Sequence, residues 1–128
     1  MASNIPLVVK KLYEKVKDID VYELMLLSIR DHADWLVTEY RRICREEAKA
    51  KSRGEADYYT LFTQCLYESI EEVEKMLYTY IHDVYESAIR LFGIFYNYEL
   101  PENPEFNRKV EEIVRETLRA LTPNEPKV

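Results

Sequence analysis

Two histidines carry the clearest capacity for acid–base or metal chemistry in this chain of 128 residues. His82 is followed directly by Asp83 and, four residues on, by Glu86, so a helix would bring its ring and the Glu86 carboxylate to one face. Helical di-metal proteins carry paired Glu-x-x-His motifs on facing helices, and this chain contains no Glu-x-x-His. We therefore interpret these side chains as a surface ion pair and expect no metal, no cofactor and no catalytic residue. An enzyme that uses them is the least favoured alternative.

His32, which follows Asp31 and precedes Asp34, is interpreted in the same way as a group on a helix surface. The chain has no glycine-rich phosphate loop, and no serine or cysteine stands in a known nucleophile motif. The sequence therefore predicts a protein that is not an enzyme.

The two cysteines, Cys44 and Cys65, lie within apolar helical patterns. Such cysteines usually behave as small buried hydrophobic residues, so we expect two free thiols in the core. Two cysteines are too few for a zinc site, and neither histidine has the spacing that would complete one. The apolar start of the chain is short and runs directly into Lys10 and Lys11, unlike a signal peptide, so we expect a cytoplasmic protein.

The composition is typical of soluble, mostly helical proteins. Hydrophobic residues make up 47% and charged residues 33% of the chain, and glycine occurs only twice. No stretch approaches the roughly 18 consecutive apolar residues that a membrane-spanning helix needs, so we expect no membrane partner. The formal net charge of −6 argues against nucleic-acid binding as the main function. Abundant Glu, Lys, Arg and Tyr are typical of thermophilic proteins.

Apolar residues recur with the helical period in four segments, residues 6–16, 21–52, 55–99 and 104–121. Asp20 is predicted to cap the second helix, and Gly54 to end it in a left-handed turn. Asn103 followed by Pro104 marks the start of the fourth helix. The four segments are therefore separated by clear start and stop signals.

These segments predict an all-α fold, a bundle of four main helices, two of them long, packed mostly antiparallel. Residues 1–121 are expected to form a single helical domain. Residues 122–128 are expected to be a flexible tail or the start of a linker to a further segment, because Thr122 and Pro123 resemble another helix start.

Each helix has an apolar stripe that is predicted to face the core. In the first helix the stripe is Leu7, Val8, Leu12, Tyr13 and Val16. In the second it is Tyr22, Met25, Ile29, Ala33, Leu36, Tyr40, Ile43 and Cys44. In the third it is Leu66, Ile70, Val73, Leu77, Tyr80, Val84, Ala88, Leu91 and Phe95. In the fourth it is Phe106, Val110, Ile113, Val114, Leu118 and Leu121.

The third helix carries a second group of apolar and aromatic residues off its core stripe, namely Tyr67, Tyr78, Tyr85, Ile89, Phe92 and Tyr96. Tyrosine is enriched at protein interfaces because its ring buries a large area while its hydroxyl tolerates water. We predict that these residues form an interface with a protein partner, in a homo- or hetero-oligomer. Two alternatives stay open: the first and fourth helices cover the rings, or the rings line the internal pocket of a small-ligand-binding bundle.

The end of the second helix is basic, with candidate nucleic-acid contacts at Arg41, Arg42, Arg45, Lys49 and Arg53. A small helical subunit of an RNA-guided ribonucleoprotein would use such residues against phosphates, which is a further alternative function. Glu39, Glu46 and Glu47 are interspersed among them, so a solvated helix end rich in ion pairs is the favoured interpretation.

The order of these features resembles the helical domain of a GINS subunit over residues 31–125. The quoted features are the basic turn "KAKSRGEAD", the end of an aromatic-rich helix at "YNYELP", and a last amphipathic helix leading to "ALTPNE". GINS is a four-subunit scaffold of the archaeal and eukaryotic replicative helicase complex. The resemblance implies a non-enzymatic scaffold subunit in DNA replication, whose long helices pack against sister subunits and whose helical domain precedes a small β-rich domain.

Overall fold

The structure, a computed structural model, describes residues 7–16, 20–92 and 103–122. They form four helices: α1 (Leu7–Val16), α2 (Val21–Lys51), α3 (Glu55–Phe92) and α4 (Pro104–Leu121). Within these ranges there is no strand, so the predicted all-helical class is confirmed. The predicted end of the third helix near residue 99 lies outside the described residues.

Capping side chains start α2 and α4 at the predicted residues. A carboxylate oxygen of Asp20 accepts a hydrogen bond from the backbone N–H of Tyr22 at 3.0 Å. The side-chain oxygen of Asn103 accepts one from the N–H of Phe106 at 3.0 Å, and Pro104 follows as the first helical residue. Each cap satisfies a backbone donor that has no partner inside the helix.

The left-handed turn predicted at Gly54 is wrong. α2 ends at Lys51, and its C-cap residue, Ser52, has an extended backbone with φ −76° and ψ 148°, while Gly54 does not adopt a left-handed φ. The chain then turns through Arg53, whose N–H donates to the Asp57 carboxylate at 2.9 Å. This side chain, inside the first turn of α3, stabilises the connection without the positive φ that would require glycine.

α2 and α3 form an antiparallel pair. Ser28, near the start of α2, contacts Tyr80 in the second half of α3, with 2.6 Å between the two hydroxyl oxygens. Cys44, further along α2, is joined to Cys65 in the first half of α3. Because only residues 52–54 connect the two helices, α2 and α3 pack directly against each other and run in opposite directions.

α4 packs against both long helices and runs parallel to α2. The rings of Tyr22 and Phe106, near the starts of α2 and α4, have centroids 5.1 Å apart. Arg41, further along α2, donates to the carbonyl oxygen of Ala120 at the end of α4 at 2.9 Å. The three helices therefore alternate up, down and up.

Among the described residues, the helix pairs that pack closely are α2 with α3, α2 with α4 and α3 with α4. The structure thus shows three mutually packed helices, and the participation of α1 in a four-helix bundle stays a prediction.

The core lies between α2, α3 and α4, and it confirms most of the predicted stripes. Its fully enclosed large side chains are Ile29, Leu36, Leu66, Val73, Leu77 and Leu121. Four residues of the predicted stripes are exposed instead, namely Leu7 and Val8 of α1, Ile43 of α2 and Leu91 of α3. Ile43 precedes Cys44, and adjacent helical residues point about 100° apart, so only one of them faces the core. Ser28 contacts Tyr80, and α2 begins seven residues before Ser28, whereas Leu91 lies eleven residues after Tyr80. Because the two helices are antiparallel, Leu91 extends past the start of α2. Phe95 is outside the described residues.

The prediction of two free thiols is also wrong, because Cys44 and Cys65 form a disulfide with 5.5 Å between their Cα atoms. Cys44 lies ten residues before Gly54 and Cys65 eleven after it, so an antiparallel pair that turns at Gly54 places them opposite each other. The Cα separation falls within the range that a disulfide needs. The pairing was visible in the sequence only once the two helices were known to be neighbours.

Candidate functional site

Three tyrosines on one side of α3 keep a large part of their surface in solvent. Tyr67 is 58%, Tyr78 41% and Tyr85 38% exposed. Together with the half-buried Ile89 they form a strip along the side of α3 next to α4, which we call the tyrosine face. The side chain of Phe92 and all of Tyr96, the other two predicted interface residues, lie outside the described part.

α4 covers part of the tyrosine face. The rings of Tyr85 and Phe106 have centroids 6.3 Å apart, and the Tyr78 hydroxyl lies 3.5 Å from the Glu111 carboxylate. α4 therefore partly covers two of the rings, Tyr78 and Tyr85, as the alternative of shielding by the fourth helix predicts. Their remaining exposure, and that of Tyr67, leaves a surface that the described helices do not cover.

The electrostatic setting keeps Tyr78 protonated. Burial raises the pKa of its hydroxyl, and the nearby carboxylates of Glu111 and Glu74 raise it further. A neutral hydroxyl donates a hydrogen bond while its ring presents apolar area, which is the combination that favours tyrosine at interfaces. The tyrosine face thus offers ring surface and hydroxyl groups at intervals along one helix.

A second apolar surface lies between α2 and α3. We call it the α2–α3 groove; it has a volume of about 540 Å³ and is lined by Val21, Leu24, Met25, Ser28, Tyr80, Asp83, Val84, Ser87, Ala88 and Leu91. It is open to solvent, and Tyr80 is its only aromatic lining residue among those described. This groove is therefore not the predicted internal pocket, because Tyr67, Tyr78 and Tyr85 do not line it.

An aromatic stack continues from the α2–α3 groove along α2. The His32 ring stacks with the Tyr80 ring, with centroids 3.8 Å apart, and with the Trp35 ring, with centroids 5.7 Å apart. Burial lowers the pKa of His32 from its ordinary value. His32 is thus packed against α3, and the prediction of a simple helix-surface group missed this contact.

The basic end of α2 is partly occupied by contacts within the chain. Arg41 lies over the ring of Phe62 at 5.7 Å while bonding to the end of α4. Arg42 forms ion pairs with Glu39 at 2.8 Å and with Glu46 at 3.1 Å. Arg42 lowers the pKa of Glu39 through this hydrogen bond. These pairs agree with the interpretation of a solvated helix end.

The remaining candidate nucleic-acid contacts, Arg45, Lys49 and Arg53, are exposed. Lys51 pairs with Glu47 at 2.8 Å on the same stretch of α2. The cations available for phosphate groups are therefore fewer than the sequence alone suggests, because neighbouring carboxylates lie among them.

His82 sits on the exposed surface of α3. Its ring nitrogens lie 3.4 Å from the Glu86 carboxylate and 3.6 Å from that of Asp83. Across residues 7–16, 20–92 and 103–122, no cluster of three or more His, Cys, Asp or Glu side chains is suited to hold a metal ion. In the same ranges no helix combines the length and the apolar character required to cross a membrane.

Comparison of the chain with protein-family models, with curated proteins and with solved structures finds no match. The candidate sites therefore follow from the residues of this chain and their geometry. Two of them, the α2–α3 groove and the disulfide, were missed by sequence reasoning, because both depend on which faces of α2 and α3 meet.

Proposed function

We propose that this protein is a non-enzymatic interaction subunit of a larger protein assembly, and that the tyrosine face is its contact surface. The observation that carries the proposal is the exposure of Tyr67, Tyr78 and Tyr85 on one side of a long helix. Large aromatic groups gathered on one surface usually mark a protein contact.

The energetics of such a surface support the proposal. A handful of aromatic anchors dominates the binding free energy of most interfaces, each costing roughly 2 kcal/mol or more when truncated. The α4 contacts hold Tyr78 and Tyr85 in place before a partner arrives, so little side-chain entropy is lost on binding. The protein partner is a second copy of this chain or a different chain.

The resemblance to GINS helical domains gives the proposal its specific form. In that form the chain is one of four subunits of a scaffold in the replicative helicase complex, and its long helices pack side by side with those of sister subunits. We propose that a four-helix bundle, with α1 as its fourth helix, presents the tyrosine face. α2, α3 and α4 supply the rigid support.

The test is the mass of the native particle, measured by native mass spectrometry and sedimentation on the purified chain and on an extract of its source cells. We expect a particle larger than one chain, and a reduction to the mass of one chain in the variant Tyr67→Glu. The matched control is Leu27→Glu, because Leu27 is equally exposed but lies on α2.

The outcomes separate the general from the specific proposal. A single-chain mass in both samples contradicts the interaction function. A stable particle whose mass does not correspond to four subunits contradicts the GINS form alone. A larger particle that persists in Tyr67→Glu but dissociates in Leu27→Glu shows that the tyrosine face is not the contact surface.

A further inference from the structure

The two cysteines of the disulfide differ in their access to solvent. Cys44 is fully buried, and its Sγ lies 3.9 Å from the hydroxyl oxygen of Ser69, which is buried as well. Cys65 is half-buried and lines a small open cavity on the surface between α2 and α3. A molecule dissolved in water can therefore approach Cys65 without entering the core.

The cavity beside Cys65 is large enough for a small thiol. It has a volume of about 140 Å³ and is lined by Glu47 and Lys51 of α2 and by Leu61, Gln64, Cys65 and Glu68 of α3. Since a water molecule occupies about 30 Å³ of the liquid, the cavity admits a thiol group together with a few attached atoms. The carboxylate oxygen Oε2 of the exposed Glu47 lies 3.5 Å from the Cys65 Sγ, which places this sulfur beside a surface side chain.

The Cys44 sulfur is closed off by the packing of α2 against α3. Cys44 belongs to the hydrophobic core together with Leu66 and Val73. The nearby Ser69 hydroxyl donates a hydrogen bond to the Cys65 carbonyl oxygen at 2.7 Å, so it is held in place by the backbone of its own helix. An attacking thiol would have to displace this packing before it reached Cys44.

We propose that the disulfide is a site of thiol–disulfide exchange in the folded protein, at which Cys65 is attacked and Cys44 is the leaving group. The reactant is an external dithiol reductant, and Cys65 is the residue that carries the mixed disulfide. The protein thereby has two redox states that interconvert without unfolding. This proposal rests on the α2–α3 pair alone and is independent of the proposed interaction function.

The exchange proceeds in two steps. In the first, a thiolate of the reductant attacks the Cys65 Sγ and forms a new S–S bond, while the electron pair of the broken bond goes to the Cys44 Sγ, which takes a proton from water. In the second, the other thiolate of the reductant attacks its partner sulfur in the mixed disulfide, and Cys65 leaves and is protonated. The protein gains two thiols and the reductant becomes a cyclic disulfide, so the electrons balance.

The charges around the cavity indicate which thiols it favours. Its lining contains two carboxylates, Glu47 and Glu68, and one ammonium group, that of Lys51, which lies 2.8 Å from Glu47. The whole chain has a formal net charge of −6. Both the cavity and the chain therefore repel an anionic thiol and favour a cationic one.

The first test compares the two cysteines in single variants that both lack the disulfide. Cys44→Ala leaves Cys65 as the free thiol, and Cys65→Ala leaves Cys44. We expect the uncharged probe dithiodipyridine to react roughly tenfold or more faster with Cys65, because a buried thiol reacts only when the structure opens locally. Far-ultraviolet circular dichroism establishes that both variants keep their helices.

The second test locates the mixed disulfide in the unmodified chain. The folded, oxidised protein is treated with an excess of cysteamine, quenched with acid and alkylated, and its peptides are identified by mass spectrometry. We expect the cysteamine adduct on Cys65 and the alkyl group on Cys44. The reaction should proceed in the absence of urea, because it does not require unfolding.

The third test concerns charge. We expect Glu47→Gln to accelerate reduction by glutathione, an anionic thiol, about threefold or more at low salt, and to accelerate reduction by cysteamine less. Glu46→Gln is the matched control, because Glu46 pairs with Arg42 and does not line the cavity. Its rates should equal those of the parent.

Three results would overturn the proposal. They are a cysteamine adduct that lies mainly on Cys44, equal probe rates for the two single-cysteine variants, and a parent disulfide that is reduced only in urea concentrations that unfold the chain. If Glu47→Gln reacts with glutathione no faster than Glu46→Gln does, the inferred preference for cationic thiols is wrong.

Discussion

Cys44 and Cys65 are joined by a disulfide that ties the second half of α2 to the first half of α3. The bond closes a loop with a sequence separation of 21 residues, which restricts the unfolded chain. Chain-entropy reasoning assigns about 3 kcal/mol to a loop of this length. We therefore expect a reductant to lower the free energy of unfolding by this amount in urea titrations.

The control for the disulfide is the double variant Cys44→Ala/Cys65→Ala. It should unfold at a lower urea concentration than the oxidised parent and should not respond to reductant. Identical unfolding curves for the parent with and without reductant would contradict the prediction.

Leu36 and Leu27 provide a matched pair on α2 for the core. Leu36 is fully buried and Leu27 is 59% exposed. We expect Leu36→Ala to cost about 2 to 5 kcal/mol of unfolding free energy, because it leaves a cavity between three helices. Leu27→Ala should change stability by no more than about 0.5 kcal/mol. Equal effects of the two substitutions would mean that the register of α2 is wrong.

The contact between Ser28 and Tyr80 should be measurable by removing one oxygen. Tyr80→Phe keeps the ring on His32 but deletes the hydroxyl that lies 2.6 Å from the Ser28 oxygen. The expected loss is about 1 kcal/mol of unfolding free energy, the usual contribution of such a hydrogen bond. Tyr67→Phe is the control, since that hydroxyl stands on the exposed tyrosine face. A loss in the control that equals the loss in Tyr80→Phe would contradict a specific role for the contact.

His32 should make stability depend on pH. Burial lowers its pKa below the ordinary value of 6.5, so the folded protein binds this proton less tightly than the unfolded chain. The stability that the neutral ring contributes is complete above pH 6.5 and declines as the pH falls through the unfolded pKa toward the folded one. We expect His32→Gln to remove this part of the decline in urea titrations between about pH 7.5 and pH 5.

The comparison uses the difference between the two pH values, because loss of the ring stack also lowers stability at both. His82→Gln is the control and should keep the difference, since His32 is still present. A parent protein whose stability rises on acidification through this window, with the rise removed by His32→Gln, would show that the sign is wrong.

The disulfide bears on the predicted cytoplasmic location. Structural disulfides are rare in the cytoplasm of mesophiles but common inside the cells of hyperthermophiles. The composition, rich in Glu, Lys, Arg and Tyr, is typical of thermophiles. In the cytoplasm of such an organism, the predicted location and the disulfide are compatible. Location stays a prediction, and cell fractionation with thiol labelling before lysis is the measurement that decides it.

α4 is the element that the sequence predicted most completely. Its cap, its first-turn proline and its core stripe from Phe106 to Leu121 are as expected. All of these signals are local, lying within a few turns of one helix, so no knowledge of other elements was needed. The prediction for α2 was less complete, because the apolar stripe alone did not show whether Ile43 or Cys44 faces the core.

The sequence by itself determined the helical segments, the N-caps of α2 and α4 and most of the faces that α2, α3 and α4 bury, since these follow from interactions between residues close together in the chain. Only the tertiary structure decided that Cys44 meets Cys65, that His32 stacks with Tyr80, and that the α2–α3 groove is open. Each of these depends on the register between two long helices. That register is set by the packing of many side chains at once, which no local pattern specifies.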